Sequence, residues 1–256
     1  MAVRDLLYTV YERRLRRQLA GRPVPRHVGV MCDGNRRWAR AAGAGDDVSF
    51  GYLAGADKIE DVLRWSADAG VEVVTLWLLS TDNLVRPESE LQPLLRIIEE
   101  LVTDLAADRA GWRVKLVGAL DLLPPETAQV LKAAAERTAD GRGLSVNIAV
   151  GYGGRQEIAD AVRSLLYEHA AAGTSIEELA EVLDVDHIAE HLYTRGQPDP
   201  DLVIRTSGEQ RMSGFLLWQS AHSEFYFCEA YWPDFRRIDF LRALRAYADR
   251  HRRFGA

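Results

Sequence analysis

The 256-residue chain is 47% hydrophobic and 27% charged, with a formal net charge of −6. That length supports one large domain with a well-buried core, and the negative balance argues against a general nucleic-acid binder, which needs a basic surface. No apolar run is long enough to span a bilayer and no secretory leader is recognisable, while Cys32 and Cys228 lie in apolar runs without metal-ligand spacing, so the expected setting is the reducing cytoplasm.

Residues 4–20 place Leu6, Leu7, Val10, Tyr11, Leu15 and Leu19 at near-helical spacing with arginines between them. This predicts an amphipathic helix, followed by a linker to about residue 24. Two roles stay open for it: a helix docked on the domain with a solvated basic face, or a peripheral contact with an anionic membrane surface. Strand-like apolar runs then occur at 27–32, 71–79, 113–118, 144–150, 201–205 and 224–228. Helical patterns separate them at 54–69, 88–108, 125–137, 154–172 and 235–250. The clearest is 88–108, where Leu91, Leu94, Leu95, Ile98, Leu101, Val102 and Leu105 recur at three- and four-residue steps and Pro87 stands near the start. The Pro-rich stretch 196–201 reads as a loop, because a strand comes immediately after it. The alternation predicts a single α/β domain over 1–256, an open and mainly parallel sheet of about six strands flanked by helices.

In such sheets ligands bind beyond the carboxyl ends of the strands, so the residues just past each strand carry the functional information. The first strand runs into Asp33-Gly34-Asn35-Arg36-Arg37-Trp38. Gly34 permits a sharp turn and Asn35 can start a helix, which would turn backbone N–H groups toward an anion. Arg36 and Arg37 add cationic forks suited to phosphate oxygens. A bare diphosphate would repel Asp33, so the acid makes sense where Mg²⁺ bridges the two. Read alone, the same tripeptide is also an ordinary capped turn. The second strand ends in Ser80-Thr81-Asp82-Asn83 with Arg86 beyond it, and the fifth leads to Arg205, Arg211 and Ser213. Arginines at two strand ends beside an acid favour a diphosphate site. The glycine-rich turn Gly151–Arg155 could suggest a dinucleotide, but no G-x-G-x-x-G comes after the first strand, and a plain helix start explains it better. Glu224 precedes its strand and should lie at the opposite sheet edge from Asp33. It is either a solvated carboxylate or a group that a second subunit brings to the metal.

The segments HVGVMCDGNRRWAR, LLSTDNLVRP, VNIAVGYGGR, DLVIRTSGEQRMSGFLLWQSAHSEFYF and YWPDF, with the terminal RRFG, together resemble the cis-prenyltransferase family, the undecaprenyl diphosphate synthase-like enzymes. The blocks keep the family's order from about residue 27 onward. The resemblance implies a homodimer with a hydrophobic tunnel that joins isopentenyl diphosphate to an allylic diphosphate through a new Z double bond. It implies Asp33 as the Mg²⁺-binding carboxylate, with Gly34, Asn35 and Arg37, aided by Arg36 and Trp38, as the allylic diphosphate cradle. Ser80, Asn83 and Arg86 match the second polar cluster, with Asn83 assisting ionisation or proton removal. Arg205, Arg211 and Ser213 match the isopentenyl diphosphate clamp, Glu224 a metal carboxylate given across the dimer, and Arg253 the C-terminal Arg-x-Gly element.

Departures from the pattern concern the allylic side. Segment 43–55 offers no arginine, and Tyr52 stands near the family's usual histidine. Arg36 replaces a residue that is often small, Leu84 a common aromatic and Gln210 a frequent histidine. Leu78 stands where long-chain makers often carry alanine, and added bulk there can block a tunnel. This resembles the short-chain (2Z,6E)-farnesyl diphosphate synthases of actinobacterial type, with geranyl diphosphate as the favoured starter. The alternatives are a long-chain enzyme in which Leu78 is strand core, a non-catalytic partner subunit and a prenyl diphosphate carrier.

Overall fold

The computed structural model describes residues 3–45, 47–107 and 111–251. In chain order these form α1 (Val3–Leu19), β1 (His27–Met31), α2 (Asn35–Ala41), α3 (Val48–Ala69), β2 (Val73–Ser80), α4 (Glu88–Ala107), β3 (Arg113–Val117) and α5 (Pro125–Arg137). They continue with β4 (Ser145–Tyr152), α6 (Gly154–Ala171), α7 (Ile176–Val182), α8 (Val185–Ala189), β5 (Leu202–Arg205), β6 (Glu224–Phe227) and α9 (Arg237–His251). All neighbouring strands pair in parallel, in the order β3-β4-β2-β1-β5-β6. From β1 the chain first builds toward β2 and later returns to add β5 on the other side. The direction of building therefore reverses beside β1, which opens a crevice at the carboxyl ends of β1 and β5.

Both faces of the sheet are covered, which explains the unbroken apolar strands. One face carries the main core: Ile59, Val62 and Leu63 of α3 pack with Leu94, Leu95 and Ile98 of α4 and with residues of α5 and α9. Each such side chain contributes roughly 1.5–3 kcal/mol on burial. The other face is closed by a smaller cluster in which Met31, Tyr152 and Val203 meet Phe215 and Leu216. A polar chain crosses the amino edge of the sheet. His27 Nδ1 donates to the Pro198 carbonyl at 2.8 Å, which leaves Nε2 to accept from the Thr75 hydroxyl at 2.7 Å. Asn147 then donates to Thr75 Oγ1 at 2.9 Å.

α1 behaves as a docked helix: Leu15 is fully buried, and Tyr8 and Tyr11 lie under the Arg236 and Arg242 guanidiniums of the C-terminal segment. Its opposite face exposes Leu6, Leu7 and Val10. α3 starts at Val48 rather than near residue 54, because the Asp47 side chain accepts the Ser49 N–H and caps it. Gly51 and Gly55 lie one helical turn apart inside it. A Cβ on Gly51 would sit 2.2 Å from the Asn35 carbonyl oxygen, and one on Gly55 2.4 Å from Asn35 Oδ1. Those glycines let α3 approach α2 closely. α7 and α8 are elements the hydrophobic periodicity does not show.

Candidate active site

The crevice at the β1/β5 carboxyl ends deepens into a cavity of about 600 Å³. Six arginines (36, 37, 40, 86, 205 and 211) line it against three carboxylates, Asp33, Asp82 and Glu209. A chain with a net negative charge thus concentrates cations in one recess, which is what a multiply charged anion requires.

Asp33 holds the centre. Thr206, just past β5, accepts the Asp33 N–H at 3.0 Å and donates to its carbonyl at 2.7 Å, tying the two strand ends together. Arg205 Nη2 donates to Asp33 Oδ2 at 2.9 Å and Arg37 Nη2 to Oδ1 at 3.3 Å. Burial pushes the Asp33 carboxyl up, but the Arg205 hydrogen bond and charge, with Arg37 and Ser207, outweigh it and hold Asp33 below the ordinary carboxylate range. It is a carboxylate at any working pH.

Gly34 then turns the chain with φ 104°, a left-handed conformation, and α2 begins at Asn35. Asn35 donates to the Cys32 carbonyl at 2.9 Å, closing the turn. Arg37 leaves the first turn of α2 to reach Ser207 at 2.7 Å and Glu209 at 3.1 Å. Arg205 is almost fully buried; it donates to Ser213 Oγ at 3.0 Å and to the Arg211 carbonyl, while its Nε has no partner among the described residues. Ser207 and Ser213 both have positive φ, 80° and 49°, and such strained loops concentrate at ligand sites.

At the end of β2, Ser80 and Asn83 cap each other: the Ser80 hydroxyl accepts the Asn83 N–H at 3.1 Å, and Asn83 Oδ1 accepts the Ser80 N–H at 3.4 Å. Just before them the ladder with β4 is irregular. Trp77 pairs with Ala149 and Leu79 with Val150, so Leu78 is an extra, bulged residue. The bulge breaks strict strand alternation, and Trp77, Leu78 and Leu79 all line the cavity.

The cavity thus gathers Asp33, Gly34, Asn35, Arg36, Arg37, Leu78, Ser80, Asn83, Arg86, Arg205, Arg211 and Ser213. Trp38 is not among its lining residues and stacks on Phe50, ring centroids 5.4 Å apart. Glu224 lies at the start of β6, in register with Leu202 and paired with Arg250 at 2.6 Å. Arg205, whose register partner is Phe227, is three residues further along, about 10 Å toward the site. Arg253 falls outside the described residues. Glu209, Tyr52 and Glu90 also shape the site, Tyr52 only as a departure from a family pattern in the sequence and the two glutamates not marked there. For the glutamates the one sequence signal is their position, one next to the fifth-strand arginines and the other four residues after Arg86.

A six-stranded parallel α/β sheet with an arginine-rich, acid-centred cavity at its switch point defines a protein built to hold a multiply charged anion. The family model described as "Putative undecaprenyl diphosphate synthase" matches residues 31–255, and the chain belongs to that family. It is 67% identical over 249 residues, 97% of each chain, to a (2Z,6E)-farnesyl diphosphate synthase from Thermobifida fusca. It is 57% identical to the enzyme of that name from Mycolicibacterium smegmatis, over 99% of this chain and 97% of the other. Among solved structures, lavandulyl diphosphate synthase from Lavandula x intermedia, in complex with dimethylallyl diphosphate, superposes with a TM-score of 0.80. That pair is 31% identical and covers 88% of this chain and 95% of the other.

Proposed function

We propose that this chain is a short-chain cis-prenyltransferase that condenses geranyl diphosphate with isopentenyl diphosphate to (2Z,6E)-farnesyl diphosphate, releasing diphosphate. The observation that carries it is the Asp33–Arg37–Arg205 cluster inside the arginine-rich cavity. The names of the 67% and 57% identical relatives point to the same product.

Asp33 fits Mg²⁺: a half-buried, ionised carboxylate faces a recess built for diphosphate, and this ion commonly takes one or two carboxylates together with phosphate oxygens and water. When bound, the ion would neutralise charge on the departing diphosphate. Arg37 and the start of α2 cradle the allylic diphosphate, with Arg36 and Arg86 beside it. Arg205, Arg211 and Ser213 hold isopentenyl diphosphate. As the allylic C–O bond breaks, its electron pair leaves with diphosphate, and these fixed donors stabilise that charge. The alkene of isopentenyl diphosphate forms the new C–C bond, and loss of one proton completes the product. Asn83, fixed by its cap with Ser80, stands beside the reacting groups. Trp77, Leu78 and Leu79 give the apolar end of the cavity that shields the cation and leads into the tunnel.

The working unit in this reading is a homodimer in which Glu224 and Arg253 serve the neighbouring site, since within its own chain Glu224 lies toward the far edge of the sheet. No helix among the described residues is long and apolar enough to cross a membrane. Exposed Leu6, Leu7 and Val10 on α1, continued by exposed Arg13, Arg14 and Arg17, support peripheral contact with anionic lipid at the inner face of the cell membrane.

Radiolabelled isopentenyl diphosphate supplied with dimethylallyl, geranyl or farnesyl diphosphate and Mg²⁺ tests the assignment. A single fifteen-carbon product from geranyl diphosphate is expected. A ladder of long products would establish a long-chain enzyme instead, and absence of turnover would point to an inert subunit or carrier.

A further inference from the structure

One carboxylate oxygen organises the side of the cavity formed by α2, α3 and the turn after β2. Glu90 Oε1, in the first turn of α4, accepts the Tyr52 hydroxyl at 2.6 Å and lies 3.1 Å from Arg86 Nη1. Arg36 Nη1 approaches the same atom at 3.6 Å. The Tyr52 hydroxyl in turn accepts from Arg86 Nη1 at 2.8 Å. Both hydrogen-bonding capacities of the phenol are therefore used, which fixes its direction.

The groups differ in freedom. Tyr52 is 7% exposed on α3, and the Arg86 and Glu90 side chains are each 17% exposed, whereas Arg36 is 46% exposed. Two guanidiniums sharing one recess repel, and a single intervening carboxylate cancels one of their charges and leaves the other for a ligand. Burial and the hydrogen bond to Glu90 push the phenol pKa far up despite Arg86 and Arg36, so Tyr52 stays a neutral donor.

We propose that Tyr52 and Glu90 form a positioning pair that aims Arg36 and Arg86 at the allylic diphosphate and thereby sets allylic affinity separately from isopentenyl affinity. The inference rests on the prenyltransferase reading above. Neither residue reacts: each acts through the arginines. Arg205, Arg211 and Ser213 lie outside this network, so the two diphosphate subsites are tuned by different side chains.

The test compares wild type with Tyr52→Phe, Glu90→Gln and the double variant. Calorimetric titration with geranyl thiolodiphosphate, an allylic analogue that does not ionise readily, is paired with titration by isopentenyl diphosphate, both with Mg²⁺. Tyr52→Phe should weaken the analogue about 3- to 10-fold, the loss of one fixed hydrogen bond, and leave isopentenyl diphosphate within about 2-fold. Glu90→Gln should weaken the analogue further although it removes a negative charge, because both arginines lose their common anchor. The double variant should be no worse than Glu90→Gln alone, and tighter binding in Glu90→Gln would overturn the pair. In turnover, KM for geranyl diphosphate rises while kcat holds. Analogue binding unchanged in both single variants would overturn the pair, as would equal losses for both ligands that track a lowered melting temperature, the mark of a mere α3–α4 brace. Wild type that binds the analogue without turnover would refute the catalytic reading while the titration still decides the pair; wild type that binds neither ligand overturns both.

Discussion

The Asp33 carboxylate meets the Arg205 guanidinium at 2.9 Å across two neighbouring parallel strands. β1 and β5 pair with Met31 opposite Arg205, so the acid, two residues beyond Met31, leans over the arginine's strand end. A carboxylate that already has two guanidinium partners is oriented before substrate arrives, which lowers the reorganisation needed during reaction.

Replacing Asp33 by Asn keeps an oxygen for Arg205 but removes the charge that a cation requires. Turnover should fall by about 10²- to 10³-fold, with circular dichroism unchanged and a melting temperature within a few degrees of wild type. Chelation by EDTA should abolish wild-type activity, and excess Mg²⁺ should restore it but fail to rescue Asp33→Asn. A variant with near-normal turnover would remove Asp33 from the metal site.

Gly34→Ala tests the turn that launches α2. At φ 104° a side chain is strained by about 1–3 kcal/mol, and its Cβ would lie 2.7 Å from Tyr231 Cδ1 and 3.0 Å from Ser207 Cβ. Tyr231 lies 5.6 Å under Arg37, so relief of the clash must disturb the diphosphate cradle. Urea denaturation should show a loss of about 2–4 kcal/mol, and KM for the allylic substrate should rise. Unchanged stability would mean that the turn relaxes freely.

Much of this was legible in the sequence. The six strands and most of the helices are readable from apolar periodicity, because both sheet faces are covered and most of the helices each present an apolar stripe. The start of α3 was not, since it depends on the Asp47 cap and on glycines whose meaning is close packing against Asn35 rather than flexibility. α7 escaped for a related reason: its signal is the capping box from Ser175 to Glu178, not an apolar stripe. At the site, side chains at strand ends were readable because topology alone brings strand ends together. Glu90 was legible only as a residue four places after Arg86, because its contact with Tyr52 depends on how closely α3 and α4 pack. The Leu78 bulge was not legible, because two strands must be compared to see an extra residue.

His27 predicts how stability responds to pH. It is almost fully buried, and burial drives its pKa down to about 4 from the ordinary 6.5, the Pro198 hydrogen bond opposing only in part. The native imidazole therefore stays neutral while the unfolded one takes up a proton as pH falls below about 6.5. Stability from this group is complete above that value and is lost progressively toward pH 4, by about 3 kcal/mol in all. Urea midpoints measured at pH 7.5, 6 and 4.5 should show the decline. In His27→Gln the slope over that window should flatten by about one proton, and an unchanged slope would assign the acid sensitivity elsewhere.

Leu78 decides whether the bulge in β2 also limits the product. The bulge turns Leu78 and Leu79 alike toward the main core, while Trp77 packs on the opposite face of the sheet, and all three line the cavity. Trp77 is held by Phe215, stacked at 5.2 Å, and edge-on by Tyr152, so it is the rigid part of the wall. Leu78 is only partly buried and is the part that truncation can open. Leu78→Ala removes three carbons, while each added isoprene unit brings five, so the vacated space with modest relaxation admits about one further unit. The product from geranyl diphosphate should therefore shift from fifteen carbons toward twenty, without reaching polyprenyl lengths, because the fully buried Leu79 on the same face still stands. Stability should fall by about 2 kcal/mol or less at this partly buried site. An unchanged fifteen-carbon product, separated by reversed-phase chromatography, would place the chain-length stop elsewhere, whereas a shift to long ladders would show that Leu78 alone had been closing the tunnel.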